Sequence, residues 1–293
     1  MQEILLSLKL KQNSMSKIAL FTVFYPGAET YVDEFFNSVL NQTYKNFDLI
    51  IVNDGYKDDN LASHCPNLNI IELRGDATIS GNRAIGINYA IDNAYDYLFL
   101  CDVDDYMYPT RVEHVLESFG NNDIIVNDLD IVDADRKLIV KDYFQKTISA
   151  NTILDKDFIK DKNIFGFSNS ALKISAFSKV SFPADLKVVD WYFFTQLLNE
   201  GLKAQFLDES LTEYRQHSGN MIGISSFTID VFKKLIELKK KQYSYIKEVY
   251  PVYQKLYDQM LNLSKLPDNE LQKIIDKNTD MTPYPVWWEN VKF

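Results

Sequence analysis

The sequence predicts an α/β fold built on a mainly parallel sheet flanked by helices, followed by a helical C-terminal extension. Three observations carry that prediction. From Lys17 onward, short apolar runs alternate with amphipathic stretches of helical period. Two of the runs stop abruptly in polar residues, Asn53-Asp54-Gly55 and Asp102-Val103-Asp104-Asp105. After Gly223 the character shifts to long helices rich in lysine and tyrosine.

Taken in order, Ile18 to Phe24 is a buried strand by composition, broken by Tyr25-Pro26-Gly27. Thr30 to Gln42 reads as a helix with Val32, Phe35, Phe36, Val39 and Leu40 on one face. Strands follow at Phe47 to Val52 and Asn69 to Leu73, then a helix from Ile79 to Asn93 and a strand from Tyr97 to Cys101. That order calls for parallel strands with helices on both faces, and ligands in such sheets bind beyond the carboxyl ends of the strands. Pro109 and the capping-box pattern Thr110 to Glu113 start the next helix. Asp123 to Val132 and Lys137 to Tyr143 read as a hairpin around Asp133-Ala134-Asp135, adding strands to the sheet edge. A polar helix-like stretch leads to Phe165-Gly166-Phe167-Ser168-Asn169-Ser170. Asp190 to Glu200 is a helix stopped by Gly201, and Ala204 to Tyr214 supplies one or two short strands. The expected organisation is an N-terminal extension over 1–16, a sheet domain over 17–224 and a helical extension over 225–293, with no internal repeat.

Composition narrows the function classes. A chain of 293 residues with 46% hydrophobic content builds a substantial core. A formal charge of -10 argues against a nucleic-acid partner, which needs a basic face to neutralise phosphates. Cys65 and Cys101 form no disulfide framework, and Cys101, closing an apolar run, is a small core residue. No apolar stretch reaches the roughly 20 residues that span a bilayer, and residues 1–16 lack the pattern of a signal peptide. The cytoplasm is the expected location.

The chemistry gathers where the strands end. Three carboxylates in Asp102-Val103-Asp104-Asp105 repel one another unless something positive sits between them. A divalent cation meets that need, and hard oxygen ligands favour Mg²⁺ or Mn²⁺. The plain alternative is a solvated turn with helix-capping aspartates. Asp54, after another buried strand, is placed to bond a base or ribose, or simply to make an Asp-Gly turn. Arg83, early in the following helix, reaches the same mouth or is a surface arginine. Asp190 at a helix start is a candidate general base for an incoming hydroxyl, or a plain N-cap. His217, among Arg215, Ser218, Gly219 and Asn220, sits in a loop of the kind that closes over a bound donor. His64 and His114 look unremarkable.

Ser38-Val39-Leu40-Asn41-Gln42-Thr43-Tyr44-Lys45-Asn46-Phe47-Asp48, followed by Ile51-Val52-Asn53-Asp54-Gly55, resembles the opening of the family-two, GT-A type glycosyltransferases. Ser80 to Ala90, Asp102 to Asp105 and Tyr214-Arg215-Gln216-His217-Ser218-Gly219-Asn220 continue the likeness in order, from Lys17 to Gly223. The resemblance implies a Rossmann-like GT-A fold and inverting transfer from an NDP-sugar, commonly UDP-linked, with a divalent metal (Mn²⁺ or Mg²⁺). By the same resemblance Asp54 reads the nucleobase and Arg83 belongs to the donor site. Asp102 faces the ribose, Asp104 is the metal-binding aspartate of the DxD motif, and Asp190 is the catalytic base. His217 approaches the metal or diphosphate, and Thr22 and Val103 complete the donor-binding set. The chain departs from the family pattern at Asn53, Tyr56, Ala84 and Val189, where Asp, Ser, Asn and Glu are common.

The implied acceptor is a glycan or lipid-linked oligosaccharide of a bacterial surface polysaccharide. Lys233, Lys234, Lys239, Lys240 and Lys241 among Phe232, Leu235, Ile236 and Leu238 make a basic amphipathic helix. Such a helix lies on the inner face of an anionic membrane, or packs on its own protein or on a twin subunit. Trp287 and Trp288 stack on a sugar or anchor the tail. Two other classes compete. A sugar nucleotidylyltransferase would carry a glycine- and arginine-rich loop early in the chain, which Phe24-Tyr25-Pro26-Gly27 is not. An inert glycan- or nucleotide-binding module would not need to keep Asp102, Asp104, Asp190 and His217 together.

Overall fold

The structure, a computed structural model, describes residues 16–217 and 228–279 apart from Asp59 and Asn151. The expected N-terminal extension up to residue 15, the loop residues Ser218 to Asn220, Trp287 and Trp288 lie outside the described residues, as does the expected boundary at 224/225.

Ten described strands form one sheet: β1 (Ile18–Phe24), β2 (Asp48–Asn53), β3 (Ile70–Arg74), β4 (Tyr97–Leu100), β5 (Tyr106–Met107), β6 (Ile124–Val132), β7 (Leu138–Val140), β8 (Ile153–Leu154), β9 (Ser170–Lys173) and β10 (Ala204–Arg215). Their order is β3-β2-β1-β4-β9-β6-β10-β5, with β7 on β6 and β8 on β10. The first four pair in parallel, as the alternation of strands and helices requires. Every residue of β1 is buried, because both faces of this half are covered. Ala19, Phe21 and Val23 enter one hydrophobic layer with helix α2 (Ile79–Asp92) and helix α4 (Val189–Asn199). Ile18, Leu20 and Phe24 enter the other with α1 (Val32–Leu40) and α3 (Arg111–Ser118). Helix α2 lies so close to β1 that a Cβ on Gly86 would come within 2.1 Å of the Phe21 ring. Of the residues expected on the apolar face of α1, only Leu40, at its last turn, is exposed.

The second half differs from expectation in four respects. The hairpin β6–β7 forms, but β6 is interior, antiparallel to β9 and parallel to β10. Its polar residues Asn127 and Asp128 are fully buried because they have internal partners. Asp128 accepts hydrogen bonds from the backbones of Leu129, Phe144 and Gln145 and from the Gln145 amide. Strand β9, unforeseen, joins the parallel half to this mixed half. Residues 204–215 are one strand with two bulges. Where a polar helix was expected after Tyr143, there is a 3₁₀ turn, Phe144–Lys146, and the short β8. The capping box also fails: Thr110 makes no cap bond, and Glu113 instead accepts the Thr43 hydroxyl at 2.6 Å.

Helices α5 (Ile229–Val249), α6 (Gln254–Leu263) and α7 (Asp268–Thr279) follow. The apolar face of α5, with Phe232, Leu235, Ile236, Tyr243 and Ile246, packs into the same hydrophobic layer as α4. Of the basic cluster, Lys239 is buried, while Lys233, Lys240 and Lys241 pair with Asp268, Glu237 and Asp185. The apolar stripe that would enter a bilayer therefore faces the protein's own core. Among the described residues no helix is long and apolar enough to cross a membrane.

Candidate functional site

The carboxyl edge of the parallel half is where β2 and β4 release the chain, and the acidic residues stand there. Backbone geometry sets this up: Phe21 pairs with Leu100 and Phe24 with Asn53, so Asp54 and Asp102 leave neighbouring strands of β1 on one rim. Beyond β4, Val103 turns inward to the core and Asp102 and Asp104 turn outward, half-buried, with Asp105 buried beneath. Carboxylate oxygens of Asp102, Asp104 and Asp105 lie within 4.8 Å of one another, close enough to share one ion.

Each aspartate is held separately. Arg83, one turn into α2, pairs with Asp102 and stacks its guanidinium 4.4 Å from the centre of the Phe167 ring. The Asp102 backbone donates to the Ser168 hydroxyl at 3.2 Å. Asp105 accepts the Arg215 backbone N–H at 2.7 Å. Asp104 meets His217 Nε2 at 3.0 Å, and the imidazole rests 5.1 Å from the Tyr31 ring. Burial raises the Asp105 carboxyl well above the usual carboxylate range, and the charges of Asp104 and Asp102 push the same way. Asp102 is raised by burial too, with Arg83 opposing. The cluster is thus short of positive charge on its open side.

Asp190 sits in the first turn of α4, and its carboxylate accepts the Trp191 N–H at 2.7 Å. It is not the N-cap, which is Val188 and makes no side-chain cap bond. A helix N-terminus favours a carboxylate by about 0.3–1 kcal/mol. Burial wins here: aided by the negative charge of Asp102, it pushes Asp190 up to about 7. A carboxyl poised near neutrality beside an acidic cluster has the properties of a general base.

The other expected residues fall out unequally. Asp54 lies on the same rim but belongs to an adjoining cleft of about 770 Å³ lined by residues 53–56 and 72–77. Its carboxylate accepts the Ala77 N–H at 2.9 Å, leaving its second oxygen for a ligand. Asn53 builds the floor of that cleft, accepting from Gly55 N–H and donating to the Tyr56 carbonyl and to Glu72. Thr22 does not open to the site. It is fully buried in the layer under α1, and its hydroxyl has no hydrogen-bond partner among the described residues. The Val103 side chain is buried as well, so only its backbone remains for a donor. His64 stacks on Phe36 and bonds Asp58 at 2.8 Å, and His114 bonds Glu209 at 2.7 Å, both away from the acidic cluster.

Several residues of the site were not foreseen. The phenols of Tyr25 and Tyr214 are both raised, first by burial and then by the nearby negative charge of Asp102, Asp104 and Asp105. Tyr25 directly follows β1 at its carboxyl end, a positional signal available in sequence. Arg111 is a fully buried guanidinium behind the cluster, donating to the Leu100 carbonyl at 2.7 Å and to Asn127 at 3.2 Å. Burial lowers its pKa below the usual arginine range, with Cys101 and then Asp105 opposing. In a helix of mixed composition, no pattern marks such an arginine as internal.

Comparison with known proteins bears on the family and the fold. The family model described as Glycosyl transferase family 2 matches residues 20–180. An uncharacterized glycosyltransferase of Rickettsia conorii is 33% identical over 37% of the chain, and one of Rickettsia typhi is 34% identical over 40%. Those matches span only 18% and 37% of the two relatives' own lengths. The O-antigen biosynthesis glycosyltransferase WbnJ of Escherichia coli is 25% identical, over 65% of this chain and 76% of its own. Among solved structures, S. aureus TarS 1-349 in complex with UDP-GlcNAc superposes with a TM-score of 0.60 at 15% identity, covering 84% of this chain and 72% of that one. The likeness establishes the GT-A type fold.

Proposed function

The chain belongs to glycosyl transferase family 2, and we propose that it moves a sugar from an NDP-sugar, UDP-linked, to a hydroxyl of a glycan or lipid-linked acceptor with inversion. The observation that carries the reading is the placement of Asp190, pushed up to about 7, beside the cluster of Asp102, Asp104 and Asp105. In this reading Asp54 and its cleft take the base, and Arg83 with Asp102 borders the ribose and diphosphate. The residues present fit a divalent cation: hard carboxylate oxygens within 4.8 Å and a histidine beside Asp104. Asp104 and His217 would hold it. When bound, Mn²⁺ or Mg²⁺ supplies Lewis-acid stabilisation to the leaving diphosphate.

Asp190 takes the proton of the acceptor hydroxyl as that oxygen bonds the anomeric carbon. The bond from that carbon to the phosphate oxygen breaks with charge developing on the sugar as in glycoside hydrolysis, and the nucleoside diphosphate leaves with the electron pair. In this reading residues 17–224 are the catalytic unit and 225–293 a helical extension. The name of the O-antigen relative supports surface-polysaccharide synthesis as the setting.

The test is calorimetric titration with UDP, with and without Mn²⁺, followed by turnover over a panel of NDP-sugars. Metal-dependent binding that disappears in Asp104→Ala, with sugar release or transfer from one donor, is expected. Pyrophosphate release from a nucleoside triphosphate would instead indicate nucleotidylyl transfer. Binding without turnover of any donor would indicate an inert module.

A further inference from the structure

We propose that the first C-terminal helix, α5, positions the base: Lys239 and Tyr243 fix Trp191, and through it Asp190, against the turn at 159–161. This rests on the assignment of Asp190 as base. Three successive carbonyls of that turn each receive a side-chain donor. The Ile159 carbonyl accepts Trp191 Nε1 at 2.8 Å, the Lys160 carbonyl accepts the Tyr243 hydroxyl at 3.1 Å, and the Asp161 carbonyl accepts Lys239 Nζ at 2.9 Å. The Tyr243 ring meets the Trp191 indole edge-on at 5.4 Å, and the Lys239 ammonium stands 5.9 Å from the indole centre. All three side chains are at most 1% exposed.

A buried lysine is a costly way to fill a core, since desolvating its ammonium is unfavourable unless geometry compensates it. Leucine or methionine would pack the same space without that cost. What Lys239 and Tyr243 add is direction. They fasten α5 to the backbone that also receives the indole N–H, so the indole is held at its nitrogen and across its face. Trp191 is the residue next to Asp190, and its own N–H is bonded to the Asp190 carboxylate. That N–H is the backbone amide of the first turn of α4, which the Trp191 side chain anchors, so a displacement of the anchored turn would shift the carboxylate away from the acceptor. A misplacement of about 1 Å at a reacting group costs on the order of 100-fold in rate. The donor residues Asp54, Arg83 and Asp104 hang from other elements and are not reached by this clamp.

The experiment is a double-mutant cycle on kcat, using the donor selected by the panel with water as a sufficient acceptor. Lys239→Met and the milder Tyr243→Phe are each combined with Asp190→Asn. In the otherwise unaltered protein, Lys239→Met lowers kcat at least tenfold and Tyr243→Phe severalfold, with the Mn²⁺-dependent affinity for UDP unchanged. In the Asp190→Asn background the same changes cost less than twofold, because the group they position is gone. Lys239→Arg, which keeps a donor, restores part of the rate. Equal losses in both backgrounds overturn the positioning role while leaving the base assignment standing. A normal kcat in Asp190→Asn alone removes the base and the clamp together. Should Lys239→Met not fold, Tyr243→Phe decides between the same outcomes.

Discussion

Replacing Asp190 with asparagine should make the protein more stable and far less active, and the stability gain should depend on pH. The side chain keeps its shape and an oxygen to accept the Trp191 N–H. What it loses is the ability to ionise. In the folded protein the carboxyl titrates near 7 rather than 3.8, mainly because it is buried. A raised pKa means that its contribution to stability is complete below 3.8 and is lost as pH climbs to about 7. Three units correspond to ~4 kcal/mol, and half-burial reduces that to about 2–4 kcal/mol. With an unfolding entropy of ~0.6 kcal/mol per degree for a chain of this size, Asp190→Asn should melt about 3–7 °C above the parent at pH 8. Near pH 4 the two should coincide. Differential scanning fluorimetry in EDTA between pH 4 and 8 measures this, and kcat should fall by about 10²–10⁴. A variant that is less stable at pH 8, or whose difference from the parent is flat with pH, refutes the argument that burial sets this group.

Thr22→Val removes a buried hydroxyl without a described partner, so it should stabilise by about 1 kcal/mol and leave UDP affinity unchanged by calorimetry; weaker binding would return Thr22 to the donor site. Gly86→Ala places a methyl 2.1 Å from the Phe21 ring, and overpacking of about 1–3 kcal/mol should outweigh a helix gain of about 1 kcal/mol. Because Arg83 rides on the same helix, UDP binding should weaken in step with the fall in Tm. Arg111→Met withdraws the guanidinium behind Asp105 and should cost about 3–5 kcal/mol in chemical denaturation, and less as falling pH protonates the raised Asp105 carboxyl.

How much of this was legible depended on whether local pattern and tertiary environment agree. Strands β1, β2 and β4 are covered on both faces, so their sequences are largely apolar runs whose ends are marked by polar residues, whereas β3, at the sheet edge, is half-exposed. The rim aspartates followed from that alone. Strand β6 carries Asn127, Asp128 and Asp130, and polar residues in a strand ordinarily signal an exposed edge. Here three of the four hydrogen bonds to Asp128 come from 144–145, sixteen or more residues away, which no local window contains. Strand β9 is four residues long and shows no period. In the site, acidic residues announce themselves by mutual repulsion, whereas Tyr25, Tyr214 and Arg111 read as ordinary aromatic or surface positions. Asp190 was visible as a helix-start carboxylate; that burial outweighs the helix dipole there was not.

The distribution of charge around the cluster has a direction that bears on the proposed reaction. The permanent cations are placed behind or beside the acids. Arg111 is sealed under them, Arg83 flanks Asp102, and the Arg215 guanidinium is turned to Glu34 and the Ala134 carbonyl. On the open side Asp104 faces His217, a group whose charge is not permanent. An arginine in that place would satisfy Asp104 outright and hold off a divalent ion by like charge. A neutral imidazole can instead become a second ligand beside the carboxylate. The fixed arginines let the three carboxylates of the cluster stand together in the folded chain, and in the proposed reaction His217 stands where a cation and a diphosphate would come and go with each turnover.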